Sequence, residues 1–115
     1  MGRERQRAMW ELRHTSHLQK RIRFSMITSE KVLERKLREG IEAKGGLALK
    51  FTSPGFTGVP DRLVLMPQGK VCFAEVKSVG KKLEPRQKIV KKQLERLGFE
   101  VHVIDSEASL LNFLK

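Results

Sequence analysis

Cysteine is nearly absent from this chain, and long apolar runs are absent altogether. The single cysteine, Cys72, excludes an intramolecular disulfide. It lies between apolar neighbours in a strand-like run, the setting of a buried structural thiol rather than a nucleophile. No Cys-x-x-Cys pair and no paired His/Cys spacing marks a zinc site. No stretch approaches the ~20 apolar residues of a membrane helix, and the first residues lack the apolar segment of a secretion signal. The expectation is a reducing, intracellular setting. No internal repeat is visible. Acidic residues are also scarce. Against 24 Lys and Arg stand 13 Asp and Glu, for a formal net charge of +11 and a pI near 10.3. Such an excess suits a polyanionic partner, nucleic acid first and an acidic membrane surface second. A length of 115 residues fits one domain with a modest core.

Residues 1–25 differ from the remainder. Seven basic residues (Arg3, Arg5, Arg7, Arg13, Lys20, Arg21, Arg23) meet only Glu4 and Glu11 in a stretch of weak apolar patterning. The one tryptophan, Trp10, is here with His14 and His17. Two readings stand. The stretch is a dispensable extension, native or not, ahead of a folded unit over residues 26–115, or it is a basic arm that grips phosphate backbone. The first is preferred. The remainder still holds 17 basic residues against 11 acidic ones, so its basic character does not depend on the arm.

Thr28-Ser29 supplies a helix cap, and Glu30 falls in the first turn, where the helix dipole favours it. Val32, Leu33, Leu37 and Ile41 recur at helical spacing, and Gly45-Gly46 marks the stop. Gly40 inside this helix is a weakness of about 1 kcal/mol relative to Ala. Leu47–Phe51 reads as a short strand, Thr52–Val59 as a loop, and Leu63–Met66 and Val71–Lys77 as two further strands around Pro67-Gln68-Gly69. Glu84-Pro85 opens a second helix with the stripe Ile89, Val90, Leu94, Leu97. Glu100–Asp105 is a last strand. Ser106 caps a terminal helix over Glu107–Lys115, whose Leu110, Leu111, Phe113 and Leu114 pack on the body. The order αβββαβα predicts an antiparallel meander, with a fourth strand added in parallel through a crossover helix. The fold class is α/β, a central mixed four-stranded sheet flanked by helices.

Three charged residues stand out at the ends of the central strands. Side chains alternate along a strand, so Glu75 and Lys77 share a face. If the two runs pair as a hairpin, Asp61 lies beside them, since each strand is about six residues long. Asp61 and Glu75 are hard oxygen ligands for Mg²⁺ or Mn²⁺, and the Val76 carbonyl can add a third oxygen. Such an ion lowers the pKa of a water and offsets charge on a phosphodiester under attack, while Lys77 orients the water. The plain alternative is a solvent-facing Glu-x-Lys ion pair beside a turn aspartate. The apolar flanks weigh for central strands, where charge is seldom placed without purpose.

Gly58-Val59-Pro60-Asp61-Arg62 followed by Phe73-Ala74-Glu75-Val76-Lys77 resembles the signature of the virus-type replication-repair nuclease (VRR-NUC) domain, of the PD-(D/E)xK nuclease superfamily. The resemblance covers roughly residues 28–105, including Gly45–Phe51 and Gln87. It implies a single-domain, restriction-endonuclease-like fold. It implies Asp61 and Glu75 as metal ligands, Lys77 as the catalytic lysine and Gln87 as a helix glutamine near the site. It also implies a first-helix glutamate near the metal. Glu34 fits by its spacing to Gly45, with Glu30 in reserve. On their own, Glu34 reads equally as a partner of Arg38 and Gln87 as solvated. Lys50, Arg62, Lys81, Lys82 and Arg86 are candidates for phosphate contact, and His102 reads as structural. The resemblance further implies a DNA endonuclease acting on branched DNA such as Holliday junctions, as a homodimer and with no membrane partner. It reads shape and backbone rather than bases. Stand-alone members are typical of phages and prophages, which implies the cytoplasm of a bacterial host. Two rivals stand: a catalytically inactive nucleic-acid-binding module on the same fold, and a basic interaction protein with no divalent-ion affinity.

Overall fold

Leu33, Leu37 and Ile41 form the buried stripe of the first helix, α1 (Glu30–Ala43), at the four-residue spacing that keeps one face inward. A computed structural model describes residues 30–115. The basic stretch over 1–25 and the Thr28-Ser29 cap lie outside the described residues. Gly45, at φ +83°, ends α1 in a left-handed turn, and the Gly46 N–H donates to the Ile41 carbonyl at 2.9 Å. The chain continues as β1 (Leu47–Lys50), β2 (Arg62–Met66), a 3₁₀ turn (Pro67–Gly69), β3 (Lys70–Val76), α2 (Pro85–Arg96), β4 (Val101–Ile104) and α3 (Glu107–Phe113).

The sheet order is β1-β2-β3-β4. β1, β2 and β3 are antiparallel neighbours, and β4 joins β3 in parallel, as the element order predicts. Ala48, Val64, Ala74, Val76 and Ile104 line one face and pack with Leu33, Leu37 and Ile41 of α1 and Leu110 of α3. Glu75, between Ala74 and Val76, points to the other face, where Gln87 of α2 reaches it. On that face Phe73 stacks between Phe51 and Phe99, with ring centroids 5.7 and 5.6 Å away.

Several boundaries and burials differ from the sequence reading. Phe51 and Lys77 fall one residue outside β1 and β3, and α3 stops at Phe113. Leu111 is exposed, because a helix of two turns buries only the stripe through Leu110. Ile89 and Leu97 are also exposed; of the α2 stripe only Val90 is fully buried, with Leu94 half-buried. Cys72 is half-buried rather than buried, and burial raises its thiol pKa, so it stays protonated and unreactive. Gly40 is more than a weak helix former. A Cβ there meets Leu114 Cδ1 at 2.6 Å, so its absence lets α3 close on α1.

Gly46 is the tightest of these approaches against fixed backbone. A Cβ at this position meets the Leu65 carbonyl oxygen at 2.6 Å and the Met66 sulfur at 2.7 Å. The carbonyl belongs to β2 and cannot retreat without disturbing the β1–β2 ladder. Gly46→Ala is therefore expected to lower stability by about 1–3 kcal/mol, the usual cost of overpacking. Urea unfolding followed by circular dichroism measures this, and an unchanged midpoint contradicts the close approach.

Candidate active site

The antiparallel register pairs Arg62 with Ala74, which sets Asp61 opposite Glu75 at the open end of the hairpin. The two residues brace each other. The Asp61 N–H donates to Glu75 Oε2 at 3.0 Å, and the Val76 N–H donates to Asp61 Oδ2 at 3.3 Å. The Asp61 carbonyl accepts from the Phe51 N–H at 2.7 Å, tying the same residue to the end of β1. Gln87 closes the arrangement from α2. Its Oε1 accepts from the Glu84 N–H at 2.9 Å, which turns its amide nitrogen toward Glu75 Oε1 at 3.0 Å. Lys77 Nζ lies 3.8 Å from the same oxygen.

Glu75 is only 3 % exposed, the one buried charged residue among the described residues. Burial, and then the neighbouring Asp61 charge, push its carboxyl up to about 7. The Asp61 N–H and the Lys77 ammonium pull the other way without cancelling the shift. A cation placed here favours the ionised form.

On the α1 side, Glu30, Glu34 and Asp61 each present a carboxylate oxygen within 4.8 Å of the other two. Glu30 and Glu34 are one helical turn apart and so share a face. Octahedral ligands at ~2.1 Å from an ion lie roughly 3–4 Å apart, so a small side-chain closure brings all three onto one Mg²⁺ or Mn²⁺. An all-oxygen donor set of this kind fits those hard ions rather than zinc or copper. The sequence reading held Glu30 in reserve behind Glu34, but the helix brings both to Asp61 together. Glu34 faces Arg62 at 4.0 Å rather than Arg38.

The predicted phosphate contacts divide into two groups. Arg62 is anchored by Nη1 donating to the Ala48 carbonyl at 3.2 Å, and Lys50 is its exposed partner in the β1–β2 register. Arg86, Lys81 and Lys82 lie on the α2 side, Arg86 beginning the helix beside Gln87 and the two lysines in the turn before it. Arg86 Nε donates to the Thr57 carbonyl at 3.1 Å, and its guanidinium sits 5.1 Å from the Phe56 ring centre. Gly58, at φ +91°, lets the loop press on this helix start: a Cβ there meets Arg86 Cγ at 2.7 Å and its carbonyl oxygen at 2.9 Å. His102 is held away from this chemistry by Glu100 Oε2 at 3.0 Å and an edge contact to Phe113, in keeping with a structural role. Lys31 and Arg35 do not figure in the sequence reading, and Arg38 figures there only as a partner of Glu34. Their spacing along α1 places them on one face with Glu34, and they line a small pocket with Arg62.

A mixed sheet with Asp61, Glu75 and Lys77 at its open end is the arrangement that the resemblance to the PD-(D/E)xK nuclease superfamily implies. Within that superfamily the chain belongs to the VRR-NUC family, whose domain model matches residues 3–108. That match reaches further toward the N-terminus than the motifs that carry the resemblance. A solved "VRR_NUC domain" superposes with a TM-score of 0.71 at 31% identity, over 74% of this chain and 92% of that one. The "Putative nuclease p44" of Acyrthosiphon pisum secondary endosymbiont phage 1 is 45% identical over 78 residues, covering 68% of this chain and 84% of that protein.

The raised Glu75 pKa has a consequence for stability. Between 4.5 and about 7 the folded chain keeps a proton that the unfolded chain has released, so raising the pH through this window favours unfolding. In EDTA, the urea midpoint is expected to fall as pH rises across the window, and Glu75→Gln to flatten that dependence. An identical pH profile for the variant refutes a protonated Glu75 in the folded protein.

Proposed function

We propose that this nuclease domain is a Mg²⁺- or Mn²⁺-dependent DNA endonuclease, selective for branched DNA such as Holliday junctions and working as a homodimer. The carrying observation is the convergence of Glu30, Glu34 and Asp61 beside the buried Glu75 and Lys77. Asp61, Glu75, the Val76 carbonyl and Glu34 hold the ion, with Glu30 joining from the same helix. When bound, the ion lowers the pKa of a water and offsets charge building on the phosphodiester. Lys77 orients the attacking water and steadies the negative charge that develops. Gln87 positions Glu75, so that only part of its acceptor capacity faces inward. Lys50, Arg62, Lys81, Lys82 and Arg86 draw the DNA backbone to a pocket that is itself acidic. Among the described residues no helix is long and apolar enough to cross a membrane. The phage relative supports a place in the cytoplasm of a bacterial host.

The test is cleavage of an end-labelled four-way junction beside the matching linear duplex, in Mg²⁺, Mn²⁺ and EDTA. Symmetric, metal-dependent cuts are expected at the junction, with Lys77→Ala slower by about 10²-fold or more. Equal cutting of the duplex removes the junction preference. Tight binding without cutting in either metal moves the reading to an inactive binding module. Binding insensitive to Asp61, Glu75 and Lys77, with no ion affinity, leaves a basic interaction protein.

The dimer is supported by an apolar area that α2 leaves uncovered. Leu47, Leu49 and Val71 are 52%, 44% and 39% exposed. The register places them on one face with Leu63 and Leu65. Sedimentation of the wild type as a dimer, and of a Leu47→Glu/Leu49→Glu variant as a folded monomer, is expected. A monomeric wild type overturns the assembly.

A further inference from the structure

We propose that Lys31, Arg35 and Arg38 of α1, with Arg62 of β2, seat one backbone phosphate of the DNA strand, a nucleotide or two from the phosphate that is cut. The proposal rests on the nuclease reading above and supplies the strand's path across the site.

These four cations and Glu34 line a pocket of about 160 Å³. A water molecule takes about 30 Å³, so a phosphate fits with solvent to spare. Glu34 belongs both to this pocket and to the carboxylate group with Glu30 and Asp61, so the two sites stand back to back across one side chain. Gathering four cations around a single carboxylate is self-repulsive unless an anion offsets them. Arg62 is already fixed in place. Its side chain is 16% exposed, with Nη1 on the Ala48 carbonyl and Nη2 4.0 Å from Glu34. A guanidinium carries five donors, so donors remain for a phosphate oxygen. Arg35 is lightly held, its Glu39 pair being 3.9 Å long between exposed side chains. Lys81 and Lys82 precede α2 and Arg86 lies in its first turn, beside the Gln87 that reaches Glu75. The strand therefore crosses from the α1 pocket, over the acidic cluster, to the α2 start, held by backbone contacts on both flanks.

The experiment measures equilibrium binding of the junction in EDTA, across a salt series, by the full chain and two variants. Arg35→Gln/Arg38→Gln removes two of the four cations of the pocket. Lys44→Gln/Lys70→Gln removes the same charge from the far end of the sheet and is the control. The pocket variant is expected to lose about tenfold in affinity and to flatten the salt slope by about one phosphate's worth, with the control retaining the wild-type slope. A second arm removes charge from the DNA instead: a single neutral methylphosphonate is walked along the strand. One linkage beside the cut is expected to weaken the wild type and to leave the pocket variant indifferent. Equal slopes for pocket variant and wild type, or a neutral linkage that harms both alike, overturns the seat. Both arms read binding, and only the position of the cut comes from the cleavage assay. A flattened slope without metal-dependent cutting keeps the seat and removes the nuclease reading, and cutting with an unchanged slope does the reverse.

Discussion

Asp61 and Glu75 are tied to each other by the backbone of the hairpin that carries them. One N–H of Asp61 goes to the Glu75 carboxylate, and the Val76 N–H returns to the Asp61 carboxylate. Two side chains that repel each other by charge are thus held together by donors that cannot swing away. Everything else at the open end of the sheet depends on this pair. β1 enters through the Phe51 N–H on the Asp61 carbonyl, and α2 enters through Gln87 on Glu75. α1 brings Glu30 and Glu34 to the same aspartate. Three elements thus meet the hairpin at one strand end, β1 and α2 through hydrogen bonds and α1 through its two carboxylates.

The electrostatics follow from the same placement. Burying Glu75 disfavours its charge, and the adjacent Asp61 disfavours it further. Lys77 offsets part of that, at the edge of an ion pair's reach. The acidic centre is then ringed by cations from α1, β2 and the turn before α2. A net charge of +11 suits a polyanion, and the carboxylates of Glu30, Glu34 and Asp61 set one acidic point within that basic surface.

Much of the fold was legible in the sequence because its signals are local. Leu33, Leu37 and Ile41 declare α1, Gly45 its end, Pro85 the start of α2 and Ser106 the start of α3. Strand directions followed from the connections: non-helical links between β1, β2 and β3 suit antiparallel neighbours, and a helix between β3 and β4 permits a parallel pair. Burial was less legible. Ile89, Leu97 and Leu111 read as core and are exposed, because periodicity tells which residues share a face but not how much sheet lies beneath it. Gly40 reads as a weak point in a helix and Gly46 as part of that helix's stop. Their close approaches to Leu114 and to the β2 backbone exist only once the elements are packed.

The site divides along the same line. The sequence by itself determined the charged groups at the strand ends: an aspartate before one strand, and a glutamate and lysine two residues apart on the next, with alternation along a strand placing the latter two on one face. Only the tertiary structure decided which distant groups complete it. It chose Glu30 together with Glu34, turned Gln87 onto Glu75 and gathered Lys31, Arg35, Arg38 and Arg62 into one pocket. Spacing along a chain is a local property, whereas convergence depends on how a helix is rotated against a sheet, and here that rotation follows from the packing of Leu33, Leu37 and Ile41 on the strands.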